Sequence, residues 1–390
     1  MGKKRLALFL DGTWNNIESK TNVWQMSEAL LPAGVEGLEQ KPYYDPGPGG
    51  ISGEKWRGSL GYGLGRNVLE AYSWLVNNHG DGDGDEIYIF GFSRGAYTAR
   101  SLAGVIATCG MLKPGAGLSV EEIYARYQRG KDVRPIWKLE YERSQGRPVD
   151  AEEQRLLASA RRVPIRMIGV WDTVGSLGVP FGNFPGLSAR RFRFHNTNLS
   201  KIYEHAYHAM ALDEHRKAFK PTLWTRFRPA VPDAQGASAR PSAQVVEQRW
   251  FVGAHSNVGG GVPGSDMAAL PMAWMRGKAQ GLGLAFQPVR LNGSEHRGAI
   301  SDSFKHFMFG LYSIAGLRPR FHRAVAAPTR TVKNGFSDTI NETIDGSVFD
   351  RWRSDSAYRP PSLIEWSRRT GLDPAVQAGS IDARSGAPAP

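Results

Sequence analysis

EIYIFGFSRGAYTARSLAG, residues 86–104, decides the reading of this chain. Glu86–Phe90 is a short apolar run suited to a buried strand, and a small-residue segment of helical character follows Gly95 at once. Ser93 stands between Gly91 and Gly95 at the junction. A strand that turns sharply into a helix forces strained backbone angles on the residue at its apex, and it needs small neighbours so that strand and helix can approach. With Ser93 at that apex, its hydroxyl is lifted out at the strand's carboxyl end. The helix N-terminus then points at a developing negative charge, with the N–H of Arg94 as one oxyanion donor. The competing reading is a tight turn carrying a solvated serine.

Outward from this corner the chain alternates strand and helix. RLALFL (5–10) reads as a buried strand ending in the turn DGTWNN, and KPYYDPGPGG (41–50) as a second extended piece. Val68, Leu69, Tyr72, Leu75 and Val76 share one face of a helix over 65–78. A polar segment, roughly 113–162, reads as a helical insertion. VPIRMIGVWD (163–172) returns to a buried strand, LSKIYEHAYHAMALDEH (199–215) reads as a helix, and VEQRWFVGAH (246–255) as another strand. A helix over 266–279 has Asp266 as a plausible N-cap. The pattern predicts an α/β fold with a mostly parallel sheet and helices on both faces, and the strand–serine–helix corner makes it α/β-hydrolase-like. It is expected to form a single catalytic domain over 1–365, followed by a disordered tail at 373–390.

The 49 basic and 37 acidic residues give a net charge of +12 on 390 residues. That balance favours anionic partners, whether phospholipid surfaces, nucleic acid or acidic substrates, with solubility alone the competing reading. No long basic run and no interleaved aromatic pattern supports nucleic-acid binding. Cys109 is the one cysteine, so neither an intrachain disulfide nor a cysteine zinc site can form, and its apolar surroundings predict a buried, inert thiol. Asp81, Asp83 and Asp85 lack the glycine and glutamate positions of a calcium loop. The apolar run Leu6–Leu10 is too short for a secretory leader, and no window is long enough for a membrane helix. A cytoplasmic protein is expected, with any export using a route without a cleaved leader.

A serine hydroxyl is a weak nucleophile until a base takes its proton and an acid orients the base. In this fold type the chain order is serine, acid, histidine. MIGVWDTVGSLG ends a strand in Asp172, and WFVGAHSNVGGG ends another in His255; both lie where an apolar strand gives way to a glycine-containing loop. The triple glycine 259–261 predicts a close backbone approach. Asp213, in ALDEHR, is the alternative acid, although ion pairing or capping explains it as well. Asp11 begins the loop Asp11–Gly12–Thr13, from which Gly12 or Thr13 could offer a second oxyanion N–H or shape the pocket. His205, His208 and His215 are expected on a partly exposed helical face.

LALFLDGTWNN, GFSRGAYTARSLAG, IGVWDTVGSLG, HAMALDEHR and WFVGAHSNVGGG occur in this order, and the chain resembles the α/β-hydrolase domain of type VI secretion lipase effectors. The resemblance covers roughly residues 3–280, and at its widest reaches 365. It implies a triad of Ser93, Asp172 and His255, hydrolysis of phospholipid acyl esters, no metal or other cofactor, and secretion machinery or an immunity protein as partner. The helical insertion and HFMFGLYSIAGL (306–317) are candidates for a lid and an acyl groove, with ordinary core packing the alternative. A carboxylesterase or thioesterase acting on smaller soluble esters, and a non-catalytic binding module of the same fold, are the competing functions.

Overall fold

A computed structural model describes residues 2–12, 20–47, 59–80, 84–174, 199–229, 243–262, 264–302 and 320–390. β1 (Lys4–Leu10) leads to α1 (Asn22–Ala29), β2 (Glu39–Asp45), α2 (Ser59–Asn78), β3 (Glu86–Phe92) and α3 (Arg94–Cys109). The short pair β4 (Met111–Leu112) and β5 (Ala160–Arg161) brackets α4 (Val120–Gln128), α5 (Ile136–Ser144) and α6 (Ala151–Ser159). Then come β6 (Ile165–Trp171), β7 (Tyr203–Ala211), β8 (Thr225–Pro229), β9 (Val245–Phe251), α7 (His255–Gly259) and α8 (Ala269–Gln280). The remaining elements are β10 (Arg330–Val332), β11 (Gly335–Thr339), β12 (Glu342–Ile344), α9 (Gly346–Ser354), α10 (Pro361–Thr370) and β13 (Ile381–Asp382).

Eight strands form the main sheet in the order β13-β12-β9-β7-β6-β3-β1-β2. All neighbours pair parallel except β12 with β13. Parallel strands are covered on both faces, so they read as near-continuous apolar runs. In β1, Leu6, Leu8 and Leu10 join the core layer that contains α2 and α3, while Ala7 and Phe9 join the layer of α1 and α8. A third cluster beneath α9 and α10 buries Trp250, Phe349 and Trp366. The carboxyl ends of β3, β6, β7 and β9 stand side by side, and reactive side chains collect at such an edge.

Two sequence expectations change here. The stretch read as a helix over 199–215 is the inner strand β7 and the loop after it. Its residues Ala206–Ala211 are all buried, so it shows no two-residue alternation, and alanine, methionine and histidine give little strand signal against the helical one. Sheet pairing on both sides overrides the local preference. The tail is the second: Ile381–Asp382 pairs with β12 as an edge strand, and Ala383 is buried.

The insertion is helical, as expected. Ile123, Tyr127, Leu139 and Leu156 sit in the same core layer as α3, so these helices are packed covering rather than loose surface. Residues 306–317 lie outside the described residues. Cys109 is buried, and burial pushes its thiol up to about 12, which leaves it protonated and unreactive.

Candidate active site

Ser93 sits between β3 and α3 with φ 57° and ψ −115°, a region that non-glycine residues avoid. Holding a residue there costs on the order of 1–3 kcal/mol, and the surroundings must impose it. They do so sterically. A Cβ on Gly95 would lie 2.0 Å from Leu10 O, and one on Gly91 would lie 2.6 Å from Gly95 O. The two glycines are therefore what allows α3 to fold back against β3 and β1. The Ser93 N–H donates to Trp171 O at 3.1 Å, which ties the corner to the end of β6.

His255 opens α7 just past β9. Its loop is pinned to the neighbouring β7 end: Gly253 N–H donates to Asp213 Oδ2 (2.7 Å), Asp213 N–H to Gly253 O (3.0 Å), and His255 N–H to Glu214 Oε2 (3.3 Å). The imidazole Nε2 lies 2.9 Å from Ser93 Oγ, and Nδ1 lies 2.6 Å from Asp172 Oδ2. Phe92 and the edge-on Phe219 flank the ring at centroid distances of 4.7 and 5.0 Å. The triple glycine does mark a close approach, since a Cβ on Gly259 would fall inside the Phe92 ring, 1.9 Å from its nearest atom.

Asp172 is fully buried at the end of β6, in a left-handed conformation of φ 37°. Burial alone would raise its carboxyl. The Arg323 guanidinium and the His255 hydrogen bond outweigh burial and hold it well below the usual carboxylate range. Arg323 donates from Nη1 to Oδ1 (2.5 Å) and from Nη2 to Oδ2 (2.9 Å), and Ala211 N–H donates to Oδ1 (3.0 Å).

Asp213 lies one strand away and accepts from Gly253 N–H and from the Tyr358 hydroxyl, 3.0 and 3.2 Å from its two oxygens, rather than from the His255 ring. Burial pushes its carboxyl up to about 6. Glu214 differs: burial would raise it, but the Arg216 fork, with two contacts of 2.8 Å, brings it down to about 2. Asp11 is buried and accepts from its own Gly12 N–H (2.7 Å), from the Thr21 hydroxyl and from Tyr44 (3.1 Å). The Gly12 N–H therefore faces Asp11 here, and Thr13 lies outside the described residues. Arg94 N–H belongs to the first turn of α3, where no preceding turn supplies an acceptor. His205 and His208 lie on β7, not on a helix; His208 is buried, and its Nε2 accepts Thr173 N–H at 3.1 Å. Among the described residues no histidine, cysteine, aspartate and glutamate group is arranged to hold a metal, and no helix is long and apolar enough to cross a membrane.

The raised carboxyl of Asp213 gives a pH prediction. The unfolded chain releases this proton near the ordinary value of 3.8 and the folded chain near 6. Between these the folded state holds more protons, so its stability from this group falls as pH rises from about 4 to about 6 and then levels off. Asp213→Asn removes that titration. Relative to wild type, its melting temperature should therefore gain between pH 4 and pH 7; a gap that stays constant removes the assignment.

Sequence reading missed Arg323 and Phe219. Neither carries a local signal, because Arg323 lies 151 residues beyond Asp172 in a stretch with several other arginines. A parallel sheet with a serine on a strained strand-to-helix corner, facing an imidazole and a buried carboxylate at the carboxyl edge, defines an α/β-hydrolase fold. The chain belongs to the type VI secretion phospholipase effector Tle1-like family, whose catalytic domain it matches over residues 4–278. It is 29% identical over 248 residues to the uncharacterized protein YEL023C of Saccharomyces cerevisiae, covering 59% of this chain and 34% of that one. An uncharacterized protein from Pseudomonas aeruginosa is similar at 16% identity and a TM-score of 0.39, covering 81% of this chain and 51% of the other. The Tle1 effector bound to the VgrG spike is similar at 18% identity and a TM-score of 0.37, covering 68% and 52%. The chain thus spans about a third to a half of the length of these relatives.

Proposed function

We propose that this chain is a serine hydrolase that cleaves the acyl esters of phospholipids. The observation that carries the reading is the single imidazole joining Ser93 Oγ at 2.9 Å to Asp172 at 2.6 Å across three strand ends. Ser93 attacks the ester carbonyl while His255 Nε2 takes its proton and later returns it to the leaving alcohol. Asp172 accepts from Nδ1, which leaves Nε2 as the basic nitrogen, and it stabilises the imidazolium as it forms. The Arg94 N–H and the N-terminus of α3 stabilise the oxyanion. Water then releases the fatty acid by the same route in reverse.

Membership of a phospholipase effector family supports a lipid substrate, and the net charge of +12 suits an anionic bilayer. Docking on type VI secretion machinery is proposed from the family alone. The direct test pairs a fluorogenic phospholipid in vesicles with soluble p-nitrophenyl butyrate, alongside labelling by a fluorophosphonate. We expect label on Ser93, found by peptide mass spectrometry, and a rate that rises when the phospholipid is presented in vesicles. Turnover of the soluble ester alone points to the smaller-ester reading, and label elsewhere ends both.

A further inference from the structure

Arg323 lies beyond the 4–278 span that matches the family, yet its guanidinium is buried against the carboxylate behind His255. We propose that Arg323 is a positioning residue: its two-pronged grip on Asp172 fixes the plane and the charge of the carboxylate that holds His255 against Ser93, so the chain past residue 278 completes the active site. The proposal rests on the Ser93–His255–Asp172 reading above.

The geometry carries it in three steps. Both carboxylate oxygens are fully engaged, Oδ1 by Arg323 Nη1 and Ala211 N–H, Oδ2 by Arg323 Nη2 and His255 Nδ1. With two donors on each oxygen the carboxylate cannot rotate, and rotation would swing His255 off Ser93. Arg323 is itself fixed, donating to Ala211 O and Phe219 O at 2.6 Å each, and Phe219 is the ring that meets His255 edge-on. Finally, the segment carrying Arg323 is anchored on both sides. Phe321 N–H donates to His215 O at 3.0 Å; past Arg323, Arg369 on α10 donates to Val325 O (2.5 Å) and Ala326 O (2.7 Å), and Ala326 N–H donates to Glu342 at 2.9 Å.

The charge has a separate consequence. In a carboxylate–imidazole pair, a cation beside the carboxylate lowers the pH at which the pair takes up a proton. The other charged groups facing it are Glu214, paired with Arg216, and Asp213; His208 is buried and held neutral well below its usual range. Removing the Arg323 cation therefore moves the low-pH limb of the rate profile upward. A residue that served folding alone would leave that limb in place.

The test measures kcat, KM and the pH profile on p-nitrophenyl butyrate for Arg323→Met and Arg323→Lys, with sites counted by fluorophosphonate titration. For Arg323→Met we expect kcat per titrated site to fall about 100-fold with KM within about threefold, and the low-pH limb to rise by about one unit. Arg323→Lys restores the charge but not the fork. Its limb should return toward wild type while kcat stays at least about tenfold down. A wild-type limb together with kcat within about threefold in Arg323→Met overturns the proposal. If that variant does not fold, Arg323→Lys decides by the same kcat margin. Ser93→Ala run beside them separates the two readings, because turnover surviving in Ser93→Ala sinks the triad, whereas a normal Arg323 series with a dead Ser93→Ala sinks only the clamp.

Discussion

Ser93→Ala should lower kcat by about 10⁴- to 10⁶-fold on phospholipid and on p-nitrophenyl butyrate alike, with the protein still folded. The size follows from what is lost. On the proposed mechanism the covalent route disappears, while the oxyanion donors and the binding surface stay in place and leave a small residual rate over water. Folding is little affected. Alanine occupies the same φ of 57° at the same strain, and only the 2.9 Å hydrogen bond to His255 is lost, a change of about 1 kcal/mol. His255→Ala should lose about as much activity, and the double variant no more than either alone, because two members of one machine do not add. Steady-state kinetics with a melting curve for each variant checks this. A Ser93→Ala enzyme within tenfold of wild type means that another nucleophile acts.

Asp172→Asn should cost about 10⁴-fold in kcat, and unlike Ser93→Ala it should also destabilise the fold. Four donors converge on the two oxygens of Asp172, from Arg323 twice, from His255 and from Ala211. An asparagine presents one oxygen and one NH₂ group. If the NH₂ faces His255, Nδ1 must accept, the proton moves to Nε2, and the imidazole can no longer take the Ser93 proton. If it takes the Oδ1 place, it meets Arg323 Nη1 and the Ala211 N–H, donor against donor in a buried site. Either way the arginine keeps its charge and loses its partner, which costs about 3–5 kcal/mol when the pair is buried. Asp213→Asn is the control. Asp213 holds Gly253 and Tyr358, so its substitution should change kcat by less than about tenfold while altering the pH dependence of stability. The two variants measured together separate the two acids; equal losses in kcat would mean that Asp213 shares the role proposed for Asp172.

The two candidate acids show where the sequence became ambiguous. Asp172 ends an apolar strand and Asp213 lies near the end of a stretch with helical character, so local pattern favours Asp172 without excluding Asp213. What separates them is strand order. The end of β6 adjoins the end of β3, while Asp213 follows β7 and is drawn toward Tyr358 from the C-terminal region. The misreading of β7 has the same origin, since only pairing with β6 on one side and β9 on the other makes that stretch extended.

The elbow, the alternation that builds the sheet, the order of Ser93, Asp172 and His255 along the chain and the helical insertion were all legible in the residues alone. These are local quantities: steric room at Gly91 and Gly95, apolar period, and the break between strand and loop. Which carboxylate reaches the imidazole, that 199–215 is largely strand, that the tail supplies an edge strand and that Arg323 stands behind Asp172 became visible only in the folded chain. Each of these depends on a contact between residues far apart in the chain, whose energy belongs to the pair and leaves no mark on either neighbourhood alone.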